Sequence, residues 1–303
     1  MKLVVGAGLI GQEVAKQLLA KGEDVVVASR SGTQISGAKA IKLDAKNPAD
    51  FQKASSGAST IFLCTNPPYH TWATEWPPVF EAAVAAAQTN ECDLVVMGNL
   101  YSYGLPSGEM NEHSDEKTTE AKGLIRKQGW RRLLNASQAG QFKVVEVRAS
   151  DYFGPGAGST AHIGRDFFEP IMKSKNAMVV GNPNALHSWS YLPDIALTLI
   201  AASEFHGPWS RAWHVPSTTK TRNQILNEIN AATNSKGKLF AVPQLMLRTM
   251  GLFSPLYREV FASSYQFTND FVIDSRETEA LLKVEATPWD LALEQTINSY
   301  SNL

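Results

Sequence analysis

The stretch 3–11 constrains the fold of this chain most, because it predicts a buried strand that ends in a glycine-rich turn. Residues 3–5 are a continuous apolar run, as expected of a strand covered on both faces. An amphipathic pattern follows at once and ends at Gly22, which predicts a helix. Three glycines lie between strand and helix in the spacing G-x-G-x-x-G: Gly6, Gly8 and Gly11.

This order of strand, glycine turn and helix is typical of dinucleotide-binding units. Gly6 permits the tight turn, Gly8 lets the backbone approach a pyrophosphate, and Gly11 allows close packing of helix on strand. Leu9 and Ile10 begin the helix, whose free N–H groups favour phosphate oxygens. The alternative is a tight strand–helix turn that binds no ligand.

Composition limits the function classes. With 303 residues, 44% hydrophobic residues and a formal net charge of −1, the chain indicates neither nucleic acid nor an anionic membrane surface as a partner. No apolar run approaches the ~20 residues that span a bilayer, and the first apolar run leads into the glycine turn rather than a signal-peptide cleavage site. We therefore expect a cytoplasmic protein without membrane contact.

The metal-ligating and redox residue types show no site-like spacing. Cys64 and Cys92 lie far apart in sequence and are expected to be buried thiols. The six histidines lack the pairings typical of zinc sites. We therefore expect no metal ion.

The second predicted strand, 24–28, bears on the choice of cofactor. An acidic residue about 20 positions after the glycine motif binds the ribose diol of NAD, whereas an arginine accommodates the 2′-phosphate of NADP. Here the strand ends in Ser29, Arg30 and Ser31, with no acid. This favours NADP(H) over NAD(H), and a solvated loop arginine is the alternative.

Further strands at 40–43, 60–64 and 93–97 alternate with helical segments, which predicts an α/β, Rossmann-type doubly wound parallel sheet. Asp44 follows the third strand, where it can accept a hydrogen bond from adenine or cap the next helix. Thr65 and Asn66 follow the fourth strand, at the edge where such sheets bind ligands.

From Val95 onward the chain resembles the extended short-chain dehydrogenase/reductase superfamily, which contains NAD-dependent epimerases and dehydratases. Segment 95–104 ends in Tyr-Gly like the fifth strand of that family, and 148–156 resembles its Arg…Tyr-Gly-Pro-Gly turn beside the nicotinamide. Segments 190–196 and 274–293 are similar to the family's later landmarks. The resemblance implies a cofactor contact for Ser150.

The resemblance also implies two lobes. Residues 1–156, completed by about 178–218, would form the NADP-binding Rossmann domain. Residues 157–177 and 219–303 would form a smaller C-terminal lobe that binds the substrate.

The family's catalytic set is a Ser or Thr with a Tyr-x-x-x-Lys pair, and this chain departs from it. The resemblance places Thr118 at the tyrosine, Lys122 at the lysine and Asn99 at the serine. Lys122 would hold the nicotinamide ribose, with a solvated helix lysine as the alternative. Asn99 could polarise a carbonyl, but a threonine hydroxyl cannot replace a phenol in proton transfer.

Another residue would have to supply the proton. Tyr101 is the best candidate because it lies two residues from Asn99, although each nearby tyrosine is also explained as a packing residue. Asp151 could act as a base, but we expect it to cap the backbone.

Two functions fit these observations. The first is an atypical NADP(H)-binding oxidoreductase, epimerase or dehydratase that acts on a small polar carbonyl or hydroxyl compound. The second is a dinucleotide-binding regulator or redox sensor that has lost the chemistry. We expect a small-molecule substrate as the partner. A second copy of the chain is a further candidate partner, which would give a homodimer.

Overall fold

The structure is a computed structural model that describes residues 1–140 and 142–301, without the side chains of 255–257. The strands are β1 (Lys2–Val5), β2 (Val25–Ser29), β3 (Lys39–Lys42), β4 (Thr60–Leu63), β5 (Asp93–Asn99), β6 (Val144–Ala149), β7 (Asp151–Phe153), β8 (Asn176–Val180), β9 (His187–Tyr191), β10 (Arg211–His214), β11 (Thr218–Lys220) and β12 (Lys238–Val242). The helices are α1 (Leu9–Ala20), α2 (Pro48–Ala54), α3 (Trp72–Asn90), α4 (Ala121–Ala139), α5 (Arg165–Met172), α6 (Leu192–Ser203), α7 (Arg222–Thr233), α8 (Gln244–Phe253), α9 (Pro255–Ala262), α10 (Tyr265–Thr268), α11 (Arg276–Leu282) and α12 (Trp289–Ser301). A 3₁₀ turn, Tyr69–Thr71, precedes α3.

Seven parallel strands form the large sheet, in the order β10-β6-β5-β4-β1-β2-β3. The chain builds outward from β1 to β3, crosses back, and continues from β4 on the other side of β1. The strand order therefore reverses between β1 and β4, which is where open α/β sheets bind ligands. The predicted Rossmann-type doubly wound parallel sheet is confirmed.

Helices cover both faces of this sheet because its strands are apolar on both sides. One face packs on a cluster that includes Phe51, Trp72, Trp76 and Phe80 of α2 and α3. The other face packs on α1 and α6 through residues such as Leu18. No helix in the described part of the chain is long and apolar enough to cross a membrane.

A smaller lobe is built around two short sheets. One has the order β11-β9-β7 and the other pairs β12 with β8. A separate apolar cluster joins these strands to α5, α7 and α12. Within 178–218, β10 joins the large sheet and α6 packs on it, whereas β9 belongs to the small sheet β11-β9-β7. The lobe boundaries given above stay a prediction.

A buried histidine of β10 links the large sheet to the C-terminal region. His214 is fully buried, its Nδ1 donates to the carbonyl oxygen of Asp274 (3.1 Å), and its Nε2 accepts from the hydroxyl of Tyr103 (2.8 Å). The neutral ring satisfies both contacts. Burial, reinforced by the nearby charge of Arg148, lowers the pKa of His214 to about 3.

We expect acid to destabilise the fold through His214. In the unfolded chain the histidine has a pKa of about 6.5, and in the folded chain its pKa is about 3. Between these two pH values the unfolded chain binds a proton at this residue and the folded chain does not. This residue therefore lowers the free energy of unfolding by up to about 1.4 kcal/mol per pH unit across that window. Urea unfolding at pH 7.5 and pH 5 measures the difference.

His214→Gln should weaken this acid sensitivity because an amide does not titrate. The exposed His206 provides the matched control, and His206→Gln should keep the wild-type pH dependence. An unchanged pH dependence in His214→Gln would show that the acid sensitivity arises elsewhere.

Candidate functional site

Two connected cavities lie along the edge of the large sheet where its parallel strands end. The first, which we call the glycine-turn cavity, has a volume of about 310 Å³. It is bounded by the glycine turn, the end of β2 and the loop after β4. Eight of the predicted cofactor residues line it: Gly6, Gly8, Ser29, Arg30, Ser31, Asp44, Thr65 and Asn66.

The three glycines of the turn have different packing. Gly6 has a φ of +111°, and a Cβ there would lie 2.7 Å from the carbonyl carbon of Cys64. A Cβ on Gly11 would lie 1.9 Å from the carbonyl oxygen of Gly6. A Cβ on Gly8 would meet nothing within 4 Å. Gly6 and Gly11 are therefore fixed by packing, whereas Gly8 borders open space.

Helix α1 begins at this open space. Gly8 is its N-cap, and the first turn from Leu9 contains no acidic residue. The free N–H groups at this helix start leave it suited to a negatively charged ligand. Ile10 lies deeper and lines the second cavity.

The end of β2 presents hydroxyl groups and one exposed cation to the glycine-turn cavity. The Ser29 hydroxyl accepts from the backbone N–H of Thr33 (3.0 Å), and the hydroxyls of Ser31 and Thr33 are 2.8 Å apart. In the described part of the chain, Arg30 forms no ion pair. Asp44 Oδ1 accepts from the backbone N–H of Lys46 (3.1 Å), which is a turn-capping contact.

The second cavity, which we call the aromatic cavity, has a volume of about 140 Å³ and shares Cys64, Thr65 and Asn66 with the first. Besides Ile10, Thr65 and Asn66, three further predicted site residues line it: Asn99, Tyr101 and Ser150. Its other lining residues include Asp151, Tyr69, Trp72, Trp76, Arg126, Tyr152 and Phe271. The strand ends of β4, β5 and β6 thus converge on one small space.

Tyr101 is one half of a phenol pair in this cavity. Its hydroxyl lies 2.9 Å from that of Tyr69, and both rings pack on Trp72. Tyr69 is 38% exposed, but desolvation of its hydroxyl raises its pKa to about 12, with the charge of Asp151 adding to the effect. Burial, and then the neighbouring Tyr69 and Asp151, raise the pKa of Tyr101 well above its usual value. Both phenols are neutral near pH 7 and can donate hydrogen bonds.

Asn99 and Ser150 lie on adjacent strand ends. The side-chain oxygen of Asn99 accepts from the backbone N–H of Tyr101 (3.1 Å), which leaves its amide NH₂ group available. The Ser150 N–H donates to the hydroxyl of Ser190 (3.0 Å), and the Ser150 hydroxyl lies 3.4 Å from Nε2 of His187.

Lys122 and Thr118 line neither cavity. Thr118 is buried just before α4, where it packs near Gly123 and its hydroxyl accepts from the N–H of Glu120 (3.3 Å). The Lys122 ammonium donates to Glu259 Oε2 (2.7 Å) of α9 and lies 3.2 Å from Glu120 Oε1. The ammonium lies 5.7 Å from the centre of the Tyr69 ring. Because Lys122 lines neither cavity, its contact with a cofactor stays a prediction.

Asp151 lines the aromatic cavity, and its carboxylate contacts histidines rather than serving as the expected backbone cap. Oδ2 lies 2.9 Å from His187 Nε2 and Oδ1 lies 3.9 Å from His162 Nε2. Burial alone would raise the pKa of Asp151. The hydrogen bond from His187 and the charges of both histidines and Arg222 outweigh burial and lower it.

Arg126 is a cavity residue that the sequence analysis missed. It is buried, its guanidinium lies 4.4 Å from the Trp76 ring, and Nη2 donates to the carbonyl oxygen of Met97 (2.7 Å) and to Glu146 (3.3 Å). Its position one helical turn after Lys122 was the available signal, because residues i and i+4 share a helix face. His187 was also missed, and nothing local in the sequence marks it.

No group of three or more potential metal ligands occurs among residues 1–140 and 142–301. The polar groups of the site are amide, hydroxyl, phenol and carboxylate groups, the guanidinium groups of Arg30 and Arg126, and backbone N–H groups. Their arrangement fits an elongated organic ligand that extends from the glycine turn to the phenol pair.

We expect Gly11→Ala and Gly8→Ala to differ in stability. A methyl group on Gly11 would overlap the Gly6 carbonyl oxygen, and overpacking of this kind costs about 1–3 kcal/mol or more. A methyl group on Gly8 meets no atom and should cost less than about 1 kcal/mol. Urea unfolding measures both, and equal losses would contradict the packing described for this turn.

Comparison with known proteins bears on the fold and on the family. No curated protein sequence matches the chain significantly. UDP-glucose 4-epimerase from Thermotoga maritima shares the fold with a TM-score of 0.81, 12% identity and coverage of 100% of this chain and 99% of that one. UDP-glucuronic acid 4-epimerase from Bacillus cereus aligns with a TM-score of 0.78, 14% identity and coverage of 100% and 99%.

UDP-N-acetylglucosamine 4-epimerase from Bacillus cereus also aligns, with a TM-score of 0.78, 15% identity and coverage of 100% and 96%. At such low identities these likenesses show the shared fold alone. The sequence model of the NAD-dependent epimerase/dehydratase family matches residues 2–209, more than half of the chain. The chain therefore belongs to the NAD-dependent epimerase/dehydratase family.

Proposed function

We propose that this protein is an NADP(H)-dependent enzyme of the oxidoreductase, epimerase or dehydratase type that acts on a small polar hydroxyl or carbonyl compound. The observation that carries the proposal is the junction of the two cavities at Cys64, Thr65 and Asn66. A dinucleotide that extends along this edge would bring its reactive end from the glycine turn to Asn99 and Tyr101.

The residues present fit a dinucleotide. The open space at Gly8 and the free N–H groups at the start of α1 suit a pyrophosphate. Thr65, Asn66 and Ser150 would line the path to the nicotinamide end. Family membership supports a nicotinamide dinucleotide, and NAD is bound in the solved UDP-glucuronic acid 4-epimerase.

NADP(H) is the dinucleotide that the end of β2 favours. Arg30 is exposed beside the hydroxyls of Ser29 and Ser31, a set of donors suited to a phosphate monoester. The carboxylate of Asp44 lies in the same cavity and suits the adenine amino group, while one of its oxygens caps the turn at Lys46.

The chain's own residues would act on the substrate oxygen. The dinucleotide supplies or accepts the hydride. One phenol of the Tyr69–Tyr101 pair donates its proton to the other, so the second phenol would donate a hydrogen bond to the carbonyl oxygen. The Asn99 amide would add a second donor. Because burial raises the pKa of both phenols, they stay protonated near pH 7 and act as hydrogen-bond donors, although a raised pKa makes each a weaker acid for complete proton transfer.

A second candidate function is a dinucleotide-binding regulator without turnover. The observation that favours it is the position of Thr118 and Lys122, which are both buried outside the cavities, with the Lys122 ammonium engaged by Glu259. Dinucleotide binding is common to both candidates, so turnover distinguishes them.

We expect Arg30→Ala to weaken NADPH binding selectively. Loss of one charge-assisted contact to the 2′-phosphate is worth about 1.5–3 kcal/mol, which corresponds to roughly a 10- to 150-fold rise in Kd for NADPH. NADH should be almost unaffected. Calorimetric titration of both nucleotides measures this, with Arg131→Ala on the exposed side of α4 as the control. Equal wild-type affinities for NADPH and NADH would contradict the assignment of NADP(H).

We expect Tyr101→Phe to lower kcat for NADPH-dependent carbonyl reduction by about 100-fold or more, because a positioned proton donor contributes about 10²–10⁴-fold. NADPH oxidation against a carbonyl panel provides the measurement. Tyr191→Phe is the matched control, since its hydroxyl bonds Gln295 away from the aromatic cavity.

Lys122→Met should raise the Kd for NADPH if the lysine reaches the ribose. Tight NADPH binding without turnover on any compound would favour the regulator.

A further inference from the structure

Two buried N–H donors without an acceptor belong to side chains that line the aromatic cavity. They are Nε of Arg126, whose side chain is 3% exposed, and Nε1 of Trp76. Neither finds an acceptor within the described part of the chain. The neighbouring indole of Trp72 differs, because its Nε1 donates to the carbonyl oxygen of Pro67 (2.9 Å). Buried donors are normally paired, so two unpaired donors at one cavity indicate a ligand that accepts hydrogen bonds.

The positive charge of Arg126 is only partly neutralised. Among the described residues its ion-pair partner is Glu146, and Nη2 lies 3.3 Å from Oε1 of that carboxylate. The other carboxylate oxygen, Oε2, accepts from Nε of Arg148 at the shorter distance of 2.7 Å. Arg148 also pairs with a second carboxylate, that of Glu116. Burial lowers the pKa of Arg126 in spite of Glu146, so a second anion beside Arg126 would stabilise its charge.

The carboxylate of Asp151, which also lines the cavity, does not oppose such an anion because His187 balances its charge. Nε2 of His187 lies 2.9 Å from Oδ2 of Asp151, and Nδ1 lies 3.2 Å from the carbonyl oxygen of Gln266. Both ring nitrogens face acceptors, and the doubly protonated, positively charged ring donates to both. Asp151 and His187 thus form a pair without net charge, and Arg126 determines the sign of the charge that the cavity favours.

The dimensions of the cavity favour a short ligand. Its volume of about 140 Å³ lies well below the ~300–1,000 Å³ of pockets that hold drug-sized ligands. The guanidinium of Arg126 lies 4.4 Å from the centre of the Trp76 ring. The Trp72 ring lies between the two polar ends of the cavity, with its centre 6.0 Å from that of Trp76 and 5.9 Å from that of Tyr101. A compound with an anionic group next to its reacting carbon would therefore reach both ends.

We propose that the substrate of the aromatic cavity is a small 2-hydroxy or 2-oxo carboxylate, whose carboxylate group binds Arg126 and Trp76. Nε of Arg126 and Nε1 of Trp76 donate to the carboxylate oxygens. The free phenol proton of the Tyr69–Tyr101 pair donates to the oxygen on the adjacent carbon. This inference deepens the proposed function and rests on it for the identification of the cavity as the substrate site.

Lactate and lactamide form a matched pair of probes, because they have the same number of heavy atoms and differ in charge. Pyruvate and pyruvamide form a second pair. Ligand-observed NMR with the full chain gives the Kd values, with NADPH present for the first pair and NADP⁺ for the second, since neither combination can turn over. We expect each carboxylate to bind at least about tenfold more tightly than its amide, because hydrogen bonds between ionised groups are about twice as strong as neutral ones.

Trp76→Phe removes one donor and keeps an aromatic ring, and it should raise the Kd for lactate by about tenfold. Trp213→Phe is the matched control, because the buried Nε1 of Trp213 also lacks an acceptor among the described residues but lies outside the aromatic cavity. It should leave lactate binding unchanged. Arg126→Gln should abolish the preference for carboxylates, and the wild-type and Trp76→Phe measurements decide even if this variant fails to fold.

Four results would overturn the inference. They are equal affinities for carboxylate and amide, absence of binding of both lactate and pyruvate, tighter binding of inorganic phosphate than of either carboxylate, and unchanged lactate binding in folded Trp76→Phe. Inorganic phosphate serves as a probe because it distinguishes a carboxylate site from a general anion site.

The two proposals fail in different ways. A preference for carboxylates in a protein without NADPH turnover would support the carboxylate site and refute the proposed enzyme. NADPH-dependent reduction of pyruvamide in preference to pyruvate would refute the carboxylate site and leave the enzyme standing.

Discussion

The close backbone contact among β1, α1 and β4 is the constraint on which the rest of the site depends. Gly6 lies against the carbonyl carbon of Cys64, and Gly11 lies under the Gly6 carbonyl oxygen. These contacts place the N-terminus of α1 at the reversal of strand order. Because β4 passes directly into Thr65 and Asn66, the same contacts fix the residues that join the two cavities. Any side chain at Gly6 or Gly11 would separate elements that must meet for either cavity to form.

A buried ion network supports the other side of the site. Glu146 of β6 lies beneath Gly98 and accepts from both Arg126 and Arg148. Arg148 in turn binds Glu116. Removal of one member of such a network leaves an uncompensated buried charge, which typically costs about 3–5 kcal/mol. The network ties α4 to β5 and β6 and so holds the Arg126 guanidinium against Trp76 at the cavity wall.

The sheet could be predicted because its signals are local. Apolar runs, glycine spacing and alternating helices each occupy a few consecutive residues, and their alternation predicts a parallel sheet covered by helices on both faces. Asn66 could be proposed in the same way because it closely follows the fourth strand, whereas Asn99 was placed by the family resemblance and Tyr101 by its position two residues after Asn99.

The contacts of the site could not be predicted because they join distant segments. Tyr101 meets Tyr69 across 32 residues, Asp151 meets His187 across 36, and Lys122 meets Glu259 across 137. Each pairing depends on how loops and the smaller lobe pack, which no periodic pattern encodes. The position of Asp151 next to a turn led to the prediction of a backbone cap. Its actual partner, His187, becomes apparent only from the position of β9.

The environment of Lys122 shows how α4 and α9 are joined at this site. An ammonium group has three N–H donors, and here three oxygens surround it: Glu259 Oε2 at 2.7 Å, the Glu259 carbonyl oxygen at 3.2 Å and Glu120 Oε1 at 3.2 Å. A ribose hydroxyl could bind this lysine only by replacing one of those acceptors. Two of the three belong to α9, so a ribose contact that displaced either of them would weaken the contact between α9 and α4. Replacement of Glu120, the N-cap residue of α4, would leave that contact in place and is the exchange that disturbs the fold least.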